Sequence, residues 1–138
     1  MTSTSAALNI IVVEDSELDY ELLLAMLSRE GLKPRTTRVE DEAGMRDAFA
    51  KGHVDAVITD HNLPRFDSFA SLSVAKSVDA DIPVIVLSGE MSEDLAVAAL
   101  HAGADDFVLK TRMFRIASAL QPPLRPRRRV LDRYPTAQ

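Results

Sequence analysis

Four apolar runs in this chain end on side chains that can do chemistry. "LNIIVV" stops at Glu14 and Asp15, "DAVIT" at Asp60, "IPVIVL" at Ser88 and "DFVL" at Lys110. If these groups converge, adjacent carboxylates face a lone carboxylate, a hydroxyl and an ammonium. At about 5 Å each carboxylate pair repels by roughly 3 kcal/mol at an effective dielectric of 20. One lysine does not offset several such pairs, whereas a divalent cation does. All-oxygen ligands with few carboxylates and room for water suit Mg2+ or Mn2+ and not zinc. In such a site the cation and Lys110 neutralise phosphoryl oxygens and Ser88 hydrogen-bonds one of them. Asp60 is then the nucleophile that forms an acyl phosphate.

Convergence needs a scaffold, and the rest of the pattern supplies one. Leu8–Val13 and Ile82–Leu87 are nearly unbroken Ile/Val runs, as expected of parallel strands covered on both faces. Asp55–Thr59 and Asp106–Leu109 are shorter versions. Lys33–Val39 is polar and carries Pro34, which suits an edge strand. Helical spacing fills the gaps at Glu17–Glu30, Glu42–Lys51, Ser68–Ser77, Ser92–Ala102 and Met113–Leu120. Ser16 and Ser92 are N-cap candidates, with Asp19 as a capping-box partner for Ser16. Gly31, Gly52 and Gly103 follow as stops, and Pro122 and Pro123 cut the last helix short. Strict strand–helix alternation predicts an α/β fold: a doubly wound, five-stranded parallel sheet of flavodoxin-like (βα)5 type. In such sheets the working site lies beyond the carboxyl ends of the strands, at the switch in strand order. Four of the five predicted strands deliver an ionisable or hydroxyl group to that edge.

The 138 residues suit one domain. No apolar run approaches about 20 residues, so no membrane span is expected. "MTSTSAA" lacks a basic n-region, so no signal peptide is evident. There is no cysteine, which excludes disulfides and thiolate metal sites and fits a reducing compartment. A cytoplasmic location is expected. Residues 1–121 hold 20 acidic and 11 basic side chains, which argues against nucleic-acid binding by the globular body. Residues 122–138 hold five arginines and one aspartate in a Pro/Arg-rich tail, expected to be flexible or partner-contacting. The expected division is therefore a domain over 1–121 and a tail over 122–138.

From Leu8 to Leu120 the chain resembles a response-regulator receiver domain of two-component signalling, similar to the chemotaxis response regulator. The resemblance is carried by "VVEDSELD", "DAVITDHNLPRFDSFASL" and "IPVIVLSGEMSEDLAVAALHAGADDFVLK". It implies Glu14 and Asp15 as the acidic pair, Asp60 as phosphoacceptor and Asn62 as donor of a metal-binding backbone carbonyl. It implies Ser88 and Lys110 as phosphoryl-stabilising groups, and Ser88 with Phe107 as the switch. A histidine kinase or phosphotransfer protein would supply the phosphoryl group with Mg2+ present. The added charge of about −1.5 to −2 would draw Ser88 inward and let Phe107 rotate. The outer surface of the fourth helix and fifth strand would change for a downstream protein target or a homodimer. Slow self-dephosphorylation is the only turnover implied, so the protein is not expected to be an enzyme otherwise.

Two departures stand out. Receivers usually follow the strand-end lysine with proline through a cis bond, and here Thr111 follows Lys110. A non-proline cis bond costs about 2.5–4 kcal/mol, so either a trans bond with a reshaped loop or a strained exception is expected. The fifth helix has about two turns, so an altered dimer face is expected. His61 reads first as a loop histidine; in receivers its position tunes access to the phosphoacceptor. Glu90, two residues beyond Ser88, is a candidate for lining the mouth. Two other functions compete. One is a receiver-fold interaction module working without phosphorylation. The other is a small aspartate-nucleophile phosphohydrolase, disfavoured because Asn62 replaces the second acid such enzymes carry.

Overall fold

The computed structural model describes residues 8–90 and 92–120. The 122–138 tail expected from the sequence lies outside the described residues. Five strands alternate with five helices: β1 (Asn9–Val13), α1 (Glu17–Arg29), β2 (Arg35–Val39), α2 (Glu42–Ala50), β3 (Ala56–Asp60), α3 (Ser68–Val78), β4 (Val84–Ser88), α4 (Glu93–His101), β5 (Asp106–Leu109) and α5 (Phe114–Ala119). A 3-10 turn at Lys110–Arg112 links β5 to α5.

The strands form one parallel sheet in the order β2-β1-β3-β4-β5. This is the flavodoxin-like order, and its direction switches between β1 and β3. Side chains alternate across each strand. Ile11, Val13, Val57, Val84 and Val86 face α2, α3 and α4. Ile10, Val12, Ile58, Ile85 and Leu87 face α1 and α5. Both faces are covered, which is why the inner strands read as unbroken apolar runs. The polar edge strand is β2, beginning just after Pro34, whose missing N–H costs no ladder bond there.

Helix starts follow cap chemistry. Ser16, Asp41, Asp67 and Ser92 each accept a hydrogen bond from a backbone N–H three residues on. Gly31 and Gly103, at φ 87° and 112°, take the left-handed conformation just past α1 and α4. Two acids at strand starts tie neighbouring strands together. Asp55 Oδ2 accepts from Asn9 N at 2.8 Å, and Asp105 Oδ2 accepts from Val84 N at 2.7 Å.

α5 has six residues, shorter than the sequence reading over Met113–Leu120. Ile116, Ala117 and Leu120 nevertheless bury fully against the α1 face.

Ile58 in central β3 is fully buried. Ile58→Ala is expected to lower unfolding free energy by about 3 kcal/mol, within the usual range for a buried large-to-alanine change. Urea denaturation checks it; a loss under about 1 kcal/mol would show that this face repacks around the cavity.

Candidate functional site

The carboxyl edge of the sheet gathers residues from four strand ends. Glu14 directly follows β1, and its N–H donates to Val39 O at 3.0 Å, so it continues the sheet ladder. Its side chain is therefore held within the sheet's end and buried, at 4% exposure. Arg38 of β2 donates from Nη1 to the Glu14 carbonyl at 3.2 Å and lies 5.9 Å from the centre of the Tyr20 ring. Asp60 is the last residue of β3 and is equally buried. One residue of extra strand, against the sequence reading, places it inside the edge. His61 continues the ladder by donating from N to Leu87 O at 2.8 Å.

Lys110 begins the turn after β5, and its ammonium reaches into this acidic pocket. Nζ lies 2.8 Å from Asp60 Oδ2, 3.3 Å from Asp19 Oδ2 and 3.8 Å from Glu14 Oε1. The other Asp60 oxygen, Oδ1, accepts the Asn62 N–H at 3.0 Å. All peptide bonds among the described residues are trans. Thr111 thus follows Lys110 through a trans bond into the 3-10 turn, and the ammonium still meets Asp60.

One carboxylate oxygen from each of Glu14, Asp19 and Asp60 lies within 4.8 Å of the others, a group that could hold a metal ion. Its donor chemistry fits a hard divalent cation: three carboxylates face one lysine. Burial first, then the neighbouring Asp60 charge, pushes the Glu14 carboxyl up to about 7, against a lowering by the Ser16 N–H and Lys110. Burial pulls the Lys110 ammonium down, but the Asp60 hydrogen bond and charge, with Glu14 and Asp19, outweigh it and raise its pKa.

Asp15 and Asp19 have different surroundings. Asp15 is exposed and is not in the Glu14–Asp19–Asp60 group. With Glu14 continuing the strand, the next residue leaves the sheet. Asp15 lines a separate open concavity of about 590 Å3 with Thr37 to Asp41 and Leu63 to Arg65. Asp19 was expected to complete a capping box by bonding back to the Ser16 N–H. That N–H instead donates to Glu14 Oε2 at 3.1 Å, while Ser16 Oγ accepts from Asp19 N at 3.1 Å. The Asp19 carboxylate goes to Lys110. The available signal was positional: side chains in a helix's first turn lean toward its N-terminus.

Ser88 ends β4 and is buried, but its hydroxyl serves the following turn. Oγ donates to Glu90 O and accepts from Glu90 N, both at 3.1 Å. Glu90 is exposed, and its backbone makes this contact. Asn62 sits across from the same turn: a Cβ on Gly89 would lie 3.7 Å from Asn62 Nδ2. His61 Nδ1 shares a 2.7 Å hydrogen bond with the buried Ser68 Oγ, and its ring meets Phe69 edge-on at 5.7 Å. Beneath it, Thr59 and Ser71 share a buried 2.6 Å hydroxyl bond that ties β3 to α3. Phe107, partly buried, packs on the core face covered by α2, α3 and α4.

The raised Glu14 pKa sets the pH dependence of the metal-free protein. In the unfolded chain Glu14 titrates near 4.5 and in the fold near 7. The folded state therefore holds its proton more tightly. Its stability contribution is complete below 4.5 and is lost as pH rises through 7. In chelator, wild type is expected to lose about 2 kcal/mol more than Glu14→Gln between about pH 5.5 and pH 8. Lys110, raised from 10.5, contributes a constant amount over this window. Parallel pH slopes for the two proteins would contradict the Glu14 assignment.

An open parallel sheet with buried acids and a lysine at its topological switch defines a class of molecule, and the comparisons specify it. The family model for the response regulator receiver domain matches residues 10–121. The chain belongs to that family, the phosphoacceptor module of two-component signalling. It is 34% identical over 113 residues to the transcriptional regulatory protein PrrA of Mycobacterium leprae, covering 79% of this chain and 46% of that protein. It is 34% identical over 101 residues to the response regulator MprA of Mycobacterium sp. strain KMS, covering 73% and 43%. The chain thus spans under half the length of these relatives. Among solved structures it resembles NtrX from Brucella abortus, with a TM-score of 0.76, 28% identity, and coverage of 92% and 29%. It also shares the fold of a receiver domain protein from Clostridium thermocellum, with a TM-score of 0.75, 21% identity, and coverage of 89% and 98%. Among the described residues no helix is long and apolar enough to cross a membrane.

Proposed function

We propose that this chain accepts a phosphoryl group on Asp60 from a histidine kinase or phosphotransfer protein and uses it to switch a protein-interaction surface. The observation that carries this reading is the setting of Asp60: a buried carboxylate between the Lys110 ammonium at 2.8 Å and the Asn62 N–H at 3.0 Å. Glu14 and Asp60, with the Asn62 backbone carbonyl, would hold the cation. Asp15, next in the chain to Glu14, completes the proposed set. Mg2+ is the proposed ion and Mn2+ its substitute; when bound, it neutralises the carboxylates and the incoming phosphoryl oxygens.

An Asp60 oxygen attacks phosphorus, and the bond from phosphorus to the donor's nitrogen or oxygen breaks, its electron pair leaving with the donor. The Lys110 ammonium pairs with phosphoryl oxygen as charge builds there. Ser88 gives up Glu90 O and donates to a phosphoryl oxygen, so the turn Ser88–Gly89–Glu90 must adjust. Phe107, the neighbour of Val86 across the β4–β5 pair, moves with it and alters the α4–β5 surface. That surface serves a downstream protein target or a second copy of the chain. His61, fixed by Ser68, tunes access to the phosphorylated aspartate, and Glu90 does so through its backbone contact with Ser88. The chain is a phosphoacceptor with slow self-dephosphorylation and works in the cytoplasm. The excess of acid over base in residues 1–121 supports protein partners over nucleic acid for the folded body.

The test is incubation with acetyl phosphate and Mg2+, read by intact mass. A gain of one phosphoryl group that chelator prevents is expected. No gain under conditions that leave the protein folded would instead favour a receiver fold that works without phosphorylation.

A further inference from the structure

The Lys110 ammonium is aimed from its tip. Its backbone opens a 3-10 turn that has no side-chain cap, and among the described residues its two hydrogen-bond partners are Asp60 Oδ2 at 2.8 Å and Asp19 Oδ2 at 3.3 Å. Glu14 Oε1, at 3.8 Å, is beyond hydrogen-bond reach. Phosphorylation of Asp60 removes charge from that carboxylate and changes its geometry. Asp19 is the partner that the transfer leaves chemically intact.

The Asp19 backbone is anchored, and its partly exposed carboxylate reaches Lys110. It sits in the first turn of α1, where its own N–H donates to Ser16 Oγ at 3.1 Å. The Ser16 N–H, which an acid in this position ordinarily accepts, is taken by Glu14 Oε2. That substitution releases the Asp19 carboxylate to reach across 91 residues of sequence to Lys110.

From this we infer that Asp19 is a positioning residue that holds the Lys110 ammonium on the phosphoryl site during and after transfer. The inference rests on the phosphoacceptor reading and adds to it a physical link from the first turn of α1 to the phosphoryl group. Asp19 does not touch the reacting atoms in this account; it acts through Lys110. A purely electrostatic role would have the opposite sign, because removing an acid beside an incoming anion speeds its approach.

Two measurements test it. The first is a double-mutant cycle on the rate of phosphoryl uptake from acetyl phosphate with Mg2+, read by intact mass. Asp19→Ala is expected to slow uptake roughly fivefold, the scale of a mildly misplaced catalytic group, with partial recovery in Asp19→Glu. In a Lys110→Ala background the same Asp19 change is expected to cause no slowing. Equal slowing in both backgrounds, or an unchanged or faster rate for Asp19→Ala alone, would overturn the inference. The second measurement does not depend on covalent transfer. Side-chain nitrogen NMR of the beryllofluoride- and Mg2+-treated protein is expected to show an ordered Lys110 ammonium signal in wild type and Asp19→Glu, broadened or lost in Asp19→Ala. The same signal in all three proteins counts against Asp19. Wild type that takes up no phosphoryl group would instead sink the phosphoacceptor reading itself.

Discussion

Asp60→Asn takes up no phosphoryl group: this is the largest effect expected of any single change. An amide oxygen lacks the charge of a carboxylate and is far less nucleophilic, so the nucleophile is gone. Uptake from acetyl phosphate should fall by at least about 1,000-fold, a barrier increase of about 4 kcal/mol, with Mg2+ present throughout. The fold should persist, since Asn can still accept the Asn62 N–H and Lys110 retains Asp19. Circular dichroism and urea unfolding separate lost chemistry from lost structure. Uptake at the wild-type rate would mean that another side chain is the acceptor.

The second large effect is on both stability and chemistry. Lys110→Ala leaves Glu14 and Asp60, each 4% exposed, without their shared cation. Breaking a buried charge pair by removing one partner costs about 3–5 kcal/mol. That loss should be largest above pH 7, where Glu14 is ionised, and in chelator, because a divalent cation replaces the missing positive charge. Urea unfolding at about pH 8 with and without Mg2+ reads both parts. Phosphoryl uptake should slow by about 100-fold or more, the scale of losing one preorganised donor to a developing oxyanion. A variant as stable as wild type in chelator would contradict the view that this ammonium offsets the acidic group.

Much of the frame was legible in the letters. "LNIIVV" and "IPVIVL" are covered on both faces of a parallel sheet, the environment their unbroken apolar character fits. Ser16 and Ser92 cap helices, as the cap chemistry of serine dictates. Strand ends were less legible. Asp60 and Ser88 are the last residues of β3 and β4, not the first beyond them, because parallel neighbours extend pairing regardless of side-chain polarity. Lys110 was placed at the right edge, though only the structure shows that a trans bond to Thr111 leaves it against Asp60.

The bonding around the acids was less legible, because neighbouring groups compete for the same partners. Glu14, one residue past β1, still donates to Val39 O and is buried, whereas Asp15 is exposed. Capping rules assign Asp19 to Ser16, yet Glu14 occupies that N–H first. One buried glutamate therefore takes the N–H that the cap rule assigns to Asp19, and the Asp19 carboxylate goes to Lys110 instead. Ser88 shows the same limit: its position was predictable, but its bonding to Glu90 in the unphosphorylated protein was not.

The central claim is that Asp60 is the residue that carries the phosphoryl group. Its most direct test is to trap the modified wild-type protein with borohydride, which reduces an acyl phosphate to the alcohol, and to map the altered residue by peptide sequencing. A single homoserine at position 60, formed only when divalent cation was present, is the predicted result. A homoserine elsewhere, or a stable phosphoester on a serine or threonine, would contradict it.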